Sequence, residues 1–231
     1  MRRFQIFLGL FFCLPSLFAQ QETRSLPQFN QIECLGSFDV QLQAGNKPSV
    51  LIQTEGIKTE DIITEVGNGT LKIYPRKKNF WQSQKKDAVR ITVTYHNKDL
   101  TKIILGGSGN ITNADALTGK DIQLSVRGSG NLKTGLKADR VSLTIQGSGD
   151  LTTYGKADQA TLRVQGSGSV IAYELKTRQL EAKINGSGDV SVYVRDQLDV
   201  QINGSGDVRY KGDPSQKQIR IQGSGKVRKT D

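Results

Sequence analysis

The chain has 231 residues, room for one elongated domain or two small compact ones. Its 32 Lys and Arg against 22 Asp and Glu give a formal charge of +10, which suits an anionic neighbourhood. Two cysteines and one histidine, His96, exclude a disulfide framework and a histidine-built metal or catalytic cluster.

Residues 1–19, MRRFQIFLGLFFCLPSLFA, have a basic start, an apolar run over residues 4–12, a break at Pro15 and a terminal Ala19. This is the pattern of a signal peptide cut after Ala19. The run is too short to span a membrane, and no later stretch is long enough. Phe12 stands before Cys13 where a lipid-acceptor cysteine would follow a small residue, so lipidation is not expected. Loss of Arg2 and Arg3 leaves +8 (ten minus two) and a single cysteine, Cys34, expected as a small buried side chain near the first strand.

Residues 20–28 are polar, contain Pro27 and read as a flexible leader. Residues 29–99 alternate as short strands, for example Phe38, Val40 and Leu42, then Ile91, Val93 and Tyr95. They form either an N-terminal cap or irregular first turns of the repeat array beyond them. Within them, residues 59–66 read either as a short helical turn or, with the Gly67-Asn68-Gly69 turn, as a hairpin.

Residues 100–231 repeat. Gly-Ser-Gly recurs seven times, with glycine pairs Gly107/Gly109, Gly128/Gly130, Gly147/Gly149, Gly166/Gly168, Gly186/Gly188, Gly204/Gly206 and Gly223/Gly225. The starts are spaced by 21, 19, 19, 20, 18 and 19 residues. A period near twenty marks a solenoid, in which each repeat buries its apolar face only against its neighbours. Two residues before each first glycine stand Leu105, Val126, Ile145, Val164, Ile184, Ile202 and Ile221, and the positions between apolar residues are mostly polar. That period-two pattern predicts stacked parallel strands with one face inward. The fold expected is all-β, a right-handed parallel β-helix-like solenoid of about seven turns with an N-terminal β-strand and hairpin cap. The paired glycines are expected to be structural, bending the chain where a side chain would clash or a positive φ is needed. Lys226, Arg228 and Lys229 in the last turn are expected to discourage strand addition at that end.

The G-S-G-[N/D]-[I/L/V] turns, the F-D-V-x-L-x-x-G strand at residues 38–45 and L-K-I-Y at 71–74 together resemble the bacterial family labelled putative auto-transporter adhesin, head GIN domain, common in secreted proteins of Bacteroidota. The likeness covers about residues 29–228. It implies an all-β extracytoplasmic protein and brings no catalytic or binding residues with it. No run of membrane-barrel strands follows the repeats, so self-secretion is not expected.

Little catalytic chemistry accompanies this architecture. Gly-Ser-Gly lacks the lysine and helix start of a phosphate loop, and no nucleophile–base set is spaced for use. Turns of 18–21 residues leave no insertion to wall a substrate cleft. The serine column (Ser108 onward) and the column Asn110, Asn131, Asp150, Ser169, Asp189, Asp207, Lys226 read first as turn chemistry. Asp189 and Asp207 on adjacent turns raise calcium or acid–base chemistry, but the nine-residue repeat of calcium solenoids is absent. The segment that breaks the pattern is RKKNFWQSQKK, where Arg76, Lys77, Lys78, Lys85 and Lys86 interleave with Phe80 and Trp81. Cations beside rings suit an anionic glycan, lipopolysaccharide or another anionic envelope polymer. The bland alternative is a solvated hairpin loop.

The sequence therefore predicts a non-catalytic exported protein of the periplasm or cell surface, a glycan- or polyanion-binding adhesin, with no cofactor, metal or nucleic acid. The runner-up is a structural or stress-related envelope protein without a ligand, and a carbohydrate-active enzyme comes third.

Overall fold

The strict alternation of the sequence becomes strand almost everywhere in the computed structural model, which describes residues 20–76, 89–96 and 99–231. The signal peptide predicted over residues 1–19 lies outside these. The short strands come first: β1 (Gln20–Ser25), β2 (Gln31–Leu35), β3 (Asp39–Ala44), β4 (Ser49–Thr54), β5 (Ile62–Gly67), β6 (Thr70–Pro75), β7 (Val89–Tyr95), β8 (Lys102–Gly107) and β9 (Asn110–Asn113). Five longer ones come next: β10 (Leu117–Gly128), β11 (Asn131–Gly147), β12 (Asp150–Gly166), β13 (Val170–Gly186) and β14 (Val190–Gly204). The chain closes with β15 (Val208–Lys211), β16 (Gln216–Gly223) and β17 (Val227–Lys229). All seventeen strands join one sheet. It winds into a β-solenoid of about seven turns.

From β10 onward each long strand makes most of one coil and lies parallel on the next. β11 and β12 run in register from Asn131↔Asp150 to Gly147↔Gly166. Equivalent residues therefore form columns, and Leu143, Leu162, Ala182 and Val200 stack inward, each almost fully buried. Burial of each such leucine or valine contributes about 1.5–3 kcal/mol. The inward parity breaks between Ala138 and Val141, where the strand rounds a corner. One polar column also points inward: Asn113 Nδ2 donates to Tyr95 Oη (3.0 Å) and to Thr134 Oγ1 (3.2 Å).

The two glycines of each Gly-Ser-Gly turn meet different demands. The first bends the chain. At Gly166 φ is +122°, and a Cβ there would fall on the carbonyl oxygen of Gly147 one coil earlier. That carbonyl accepts two N–H groups, from Ser167 (3.0 Å) and Gly168 (3.1 Å). The second glycines are Gly109, Gly130, Gly149, Gly168, Gly188, Gly206 and Gly225. All seven are buried, and none has a left-handed φ, so they do not supply the bend. Close approach alone requires them. A Cβ at Gly130 would overlap the Gly109 carbonyl oxygen and press on the side chain of Leu105. Gly149, Gly168, Gly188, Gly206 and Gly225 meet the same pair of obstacles, the preceding glycine's carbonyl and, in order, Val126, Ile145, Val164, Ile184 and Ile202. The apolar column two residues before each turn thus packs under the second glycine of the next coil.

The turn column extends one place further back than the seven copies. Gly36-Ser37-Phe38 stacks beneath Gly107-Ser108-Gly109, with Gly109 N–H donating to Gly36 O (3.2 Å). The fully buried Phe38 takes the place of the second glycine, its ring lying over Gly36.

Residues 29–99 supply both coil and cap. β2 pairs parallel with β6 and β8, and β3 with β7 and β9, so residues 31–44 lie between two other coils. β4 then runs antiparallel on β7, β5 on β6, and β1 on β4, closing that end. Residues 59–66 resolve into a 3-10 turn, Thr59–Asp61, followed by the hairpin β5–β6. Asn68 (φ 50°) and Gly69 (φ 72°) are both left-handed, as a two-residue hairpin loop of this kind demands. Residues 20–28, expected as a flexible leader, instead contain β1, because β4 offers its free edge and alternating Gln21, Thr23 and Ser25 can pair with it. At the far end β16 is exposed along its length, with Ile219 and Ile221 about two-fifths exposed.

Candidate functional site

Of the predicted basic–aromatic segment, Arg76 alone is described; Lys77, Lys78, Phe80, Trp81, Lys85 and Lys86 lie outside the described residues. The Arg76 guanidinium is committed locally, donating from Nε (3.2 Å) and Nη2 (3.1 Å) to the Glu60 carbonyl.

The turn columns spend their polar groups on one another. Asn131 Nδ2 donates to Asn110 Oδ1 (2.9 Å), and Asn110 Nδ2 to Asp39 Oδ1 (2.8 Å). The N–H groups of Ser169, Asp207 and Lys226 each donate at 2.9 Å to the carboxylate of Asp150, Asp189 and Asp207 one coil earlier. Arg209 lies 3.6 Å from Asp189 and 3.8 Å from Asp207. Those two aspartates thus face a cation and backbone donors. Among the described residues no group of three His, Cys, Asp or Glu is placed to hold a metal. His96 contacts Asp99 at the surface (3.1 Å). Cys34 is buried, and burial pushes its thiol up to about 12, so it carries no reactive thiolate.

A concavity of about 790 Å³ is at the corner where inward parity breaks. Its lining takes one small residue from each of four coils, Gly119, Ala138, Ala157 and Thr177, which are in register. Small side chains at one offset leave a trough that follows the rod axis. One position earlier the outward column reads Thr118, Lys137, Lys156, Lys176, Tyr193 and Lys211, also in register. Parallel neighbours are about 4.8 Å apart, so the ammonium-bearing chains of Lys137 and Lys176 start about 10 Å from each other. The ammonium of Lys176 sits 3.9 Å from the centroid of the Tyr193 ring, a cation–π contact.

Charge in this trough is unbalanced. Its lining holds six cations (Lys120, Lys137, Lys156, Lys176, Arg178, Arg195) and two carboxylates (Asp139, Asp158). Arg178 and Arg195 share Asp196 (3.0 and 2.7 Å), and their hydrogen bonds hold its carboxyl down at about 2. Lys120, Lys137 and Lys156 have no carboxylate within ion-pair distance among the described residues. Like charges in register repel, so this ladder works against the fold until an anion lies along it.

Residues 28–214 match the family described as putative auto-transporter adhesin, head GIN domain. The chain belongs to that family. The matched span of this head GIN domain protein contains the whole trough. Similar solved structures share the solenoid. A putative adhesin from Bacteroides fragilis has a TM-score of 0.83 and 24% identity, covering 94% of this chain and 99% of that one. A putative lipid binding protein from Parabacteroides distasonis has a TM-score of 0.72 and 27% identity, covering 92% and 98%. A putative adhesin from the same species has a TM-score of 0.71 and 22% identity, covering 91% and 96%. No curated protein matches the chain.

The apolar columns of the sequence do not reveal the trough. Its signal was a lysine nine residues after the first glycine of successive repeats (Lys137, Lys156) and ten after the third (Lys176). The extra residue of that longer repeat hides the column.

Proposed function

We propose that this protein is a non-catalytic, exported envelope or cell-surface module that binds an anionic polymer, a glycan by preference, on the flank of its solenoid. The observation that carries this is the in-register ladder Lys137–Lys156–Lys176 beside Tyr193, in a trough with more cations than carboxylates. A rod with a purely structural role has its polar ladders internally satisfied, as the Asn and Asp columns of this one are. It has no use for a ladder of unpaired like charges, and this favours binding. The family description and the adhesin names of similar structures support an adhesive role. The basic–aromatic segment with Lys77, Lys78, Phe80, Trp81, Lys85 and Lys86 is proposed as a second contact, on its composition.

The test uses the chain from Gln20 and compares acidic with neutral polysaccharides by calorimetry and by fluorescence of Trp81, the single tryptophan. Saturable binding of acidic polymers is expected, weakening as salt rises from 0.05 to 0.5 M by roughly tenfold or more. Equal affinity for acidic and neutral polymers, or none for either, would overturn the proposal.

A further inference from the structure

Resting on that reading, we infer that the ligand is a linear acidic polysaccharide of the polyuronate or sulfated class, lying lengthwise in the trough. The geometry fixes the direction. The cations succeed one another along the rod axis rather than around the coil, one per coil from Lys137 to Lys176, and Lys211 continues the line beyond Tyr193. A compact anion would bridge two neighbouring ammonium groups at most and leave the rest of the line without a counter-charge. A chain with acid groups at a spacing comparable to the coil rise of about 4.8 Å meets them all.

Two features point to a sugar chain rather than a bare polyanion. The trough is floored by the small residues Gly119, Ala138, Ala157 and Thr177, which leave room for the C–H face of a pyranose, Gly119 and Ala138 being the more exposed. Tyr193 stands within the lysine line, a half-buried ring with Lys176 on one side, so the end of the ladder offers an aromatic surface beside a cation. The column past the small residues reads Lys120, Asp139, Asp158 and Arg178, two carboxylates between two cations. Its two carboxylates, at the middle steps, accept hydrogen bonds from sugar hydroxyls. The ligand therefore sets acid groups along the lysine edge and hydroxyls opposite Asp139 and Asp158.

The probes are galacturonate oligomers of one to six units, a neutral maltohexaose, and vesicles of phosphatidylglycerol with phosphatidylcholine. Affinity is expected to climb with each added unit until the oligomer spans the ladder, at about four units, and then to level off. Lys137→Gln and Lys176→Gln should each weaken hexamer binding roughly three- to tenfold, the pair more than either, with the melting temperature of the free protein unchanged or slightly raised, because both lysines are exposed and each substitution relieves repulsion along the ladder. Monomer binding as tightly as hexamer would overturn the lengthwise arrangement while leaving anion binding intact. Hexamer binding indifferent to both substitutions would move the site off the trough and leave the adhesive reading standing. No binding of any acidic oligomer or polysaccharide would sink both. Capture by the anionic vesicles alone would replace the glycan with a membrane surface.

Discussion

The residue on which the stacking turns is glycine, for two reasons divided between the members of each pair. The first glycine of a turn has a φ near +130°, as at Gly147, and both glycines place a hydrogen where a Cβ would overlap the backbone one coil earlier. Gly166→Ala is therefore expected to cost about 2–4 kcal/mol, combining backbone strain with displacement of the neighbouring turn. Gly67 is the contrast: its φ is not in the left-handed region and nothing lies within 4 Å of a Cβ there. Gly67→Ala should be neutral or stabilising by up to about 1 kcal/mol. Urea unfolding midpoints compare the two, and equal midpoints would contradict the close-approach account.

Among the elements, β1 is held by its ladder on β4 and by one clamping side chain, Arg24. Arg24 donates to both oxygens of Glu22 at 2.8 Å, to the carbonyls of Ile62 (2.6 Å) and Thr59 (2.9 Å), and to Thr64 Oγ1 (3.0 Å). The hydrogen bond from Arg24, then that from Thr59, lowers the Glu22 carboxyl from 4.5 to about 2. A depressed carboxyl stabilises the fold fully above its unfolded value and loses that contribution as pH falls from about 4.5 towards 2. Amide exchange in β1, corrected for intrinsic rates, should therefore accelerate over that window ahead of β11 and β12. Glu22→Gln should remove the pH dependence; its persistence would show that another group holds the strand. Neither this clamp nor β1 itself was legible in the sequence, because QQETRS carries no apolar alternation and its order comes from β4 and Arg24. The repeat columns were legible because each apolar position recurs at a fixed offset from glycine. The Gly36-Ser37-Phe38 coil escaped because Phe38 replaces the defining second glycine. The trough escaped because the corner between Ala138 and Val141 shifts the inward parity.

At the scale of the molecule, each coil between β10 and β14 touches only the coils on either side, so stability and binding surface both accumulate by the coil. Deleting residues 148–166 removes one complete unit and joins Gly147 to Ser167, whose equivalents already occupy matching positions in successive turns. The shortened chain is expected to fold, keep its β signal in circular dichroism and melt cooperatively at a somewhat lower temperature. Deleting residues 148–157, about half a coil, brings inward side chains against outward ones and should abolish the cooperative melt. The same whole-coil deletion removes Lys156 and sets Lys137 directly beside Lys176. The ladder then loses one step of about 4.8 Å, and the oligomer length at which galacturonate affinity levels off should fall by one unit. A folded deletion protein with an unchanged plateau would separate the two ideas: the coil would be a modular structural unit, and the ligand would lie somewhere other than along the lysines.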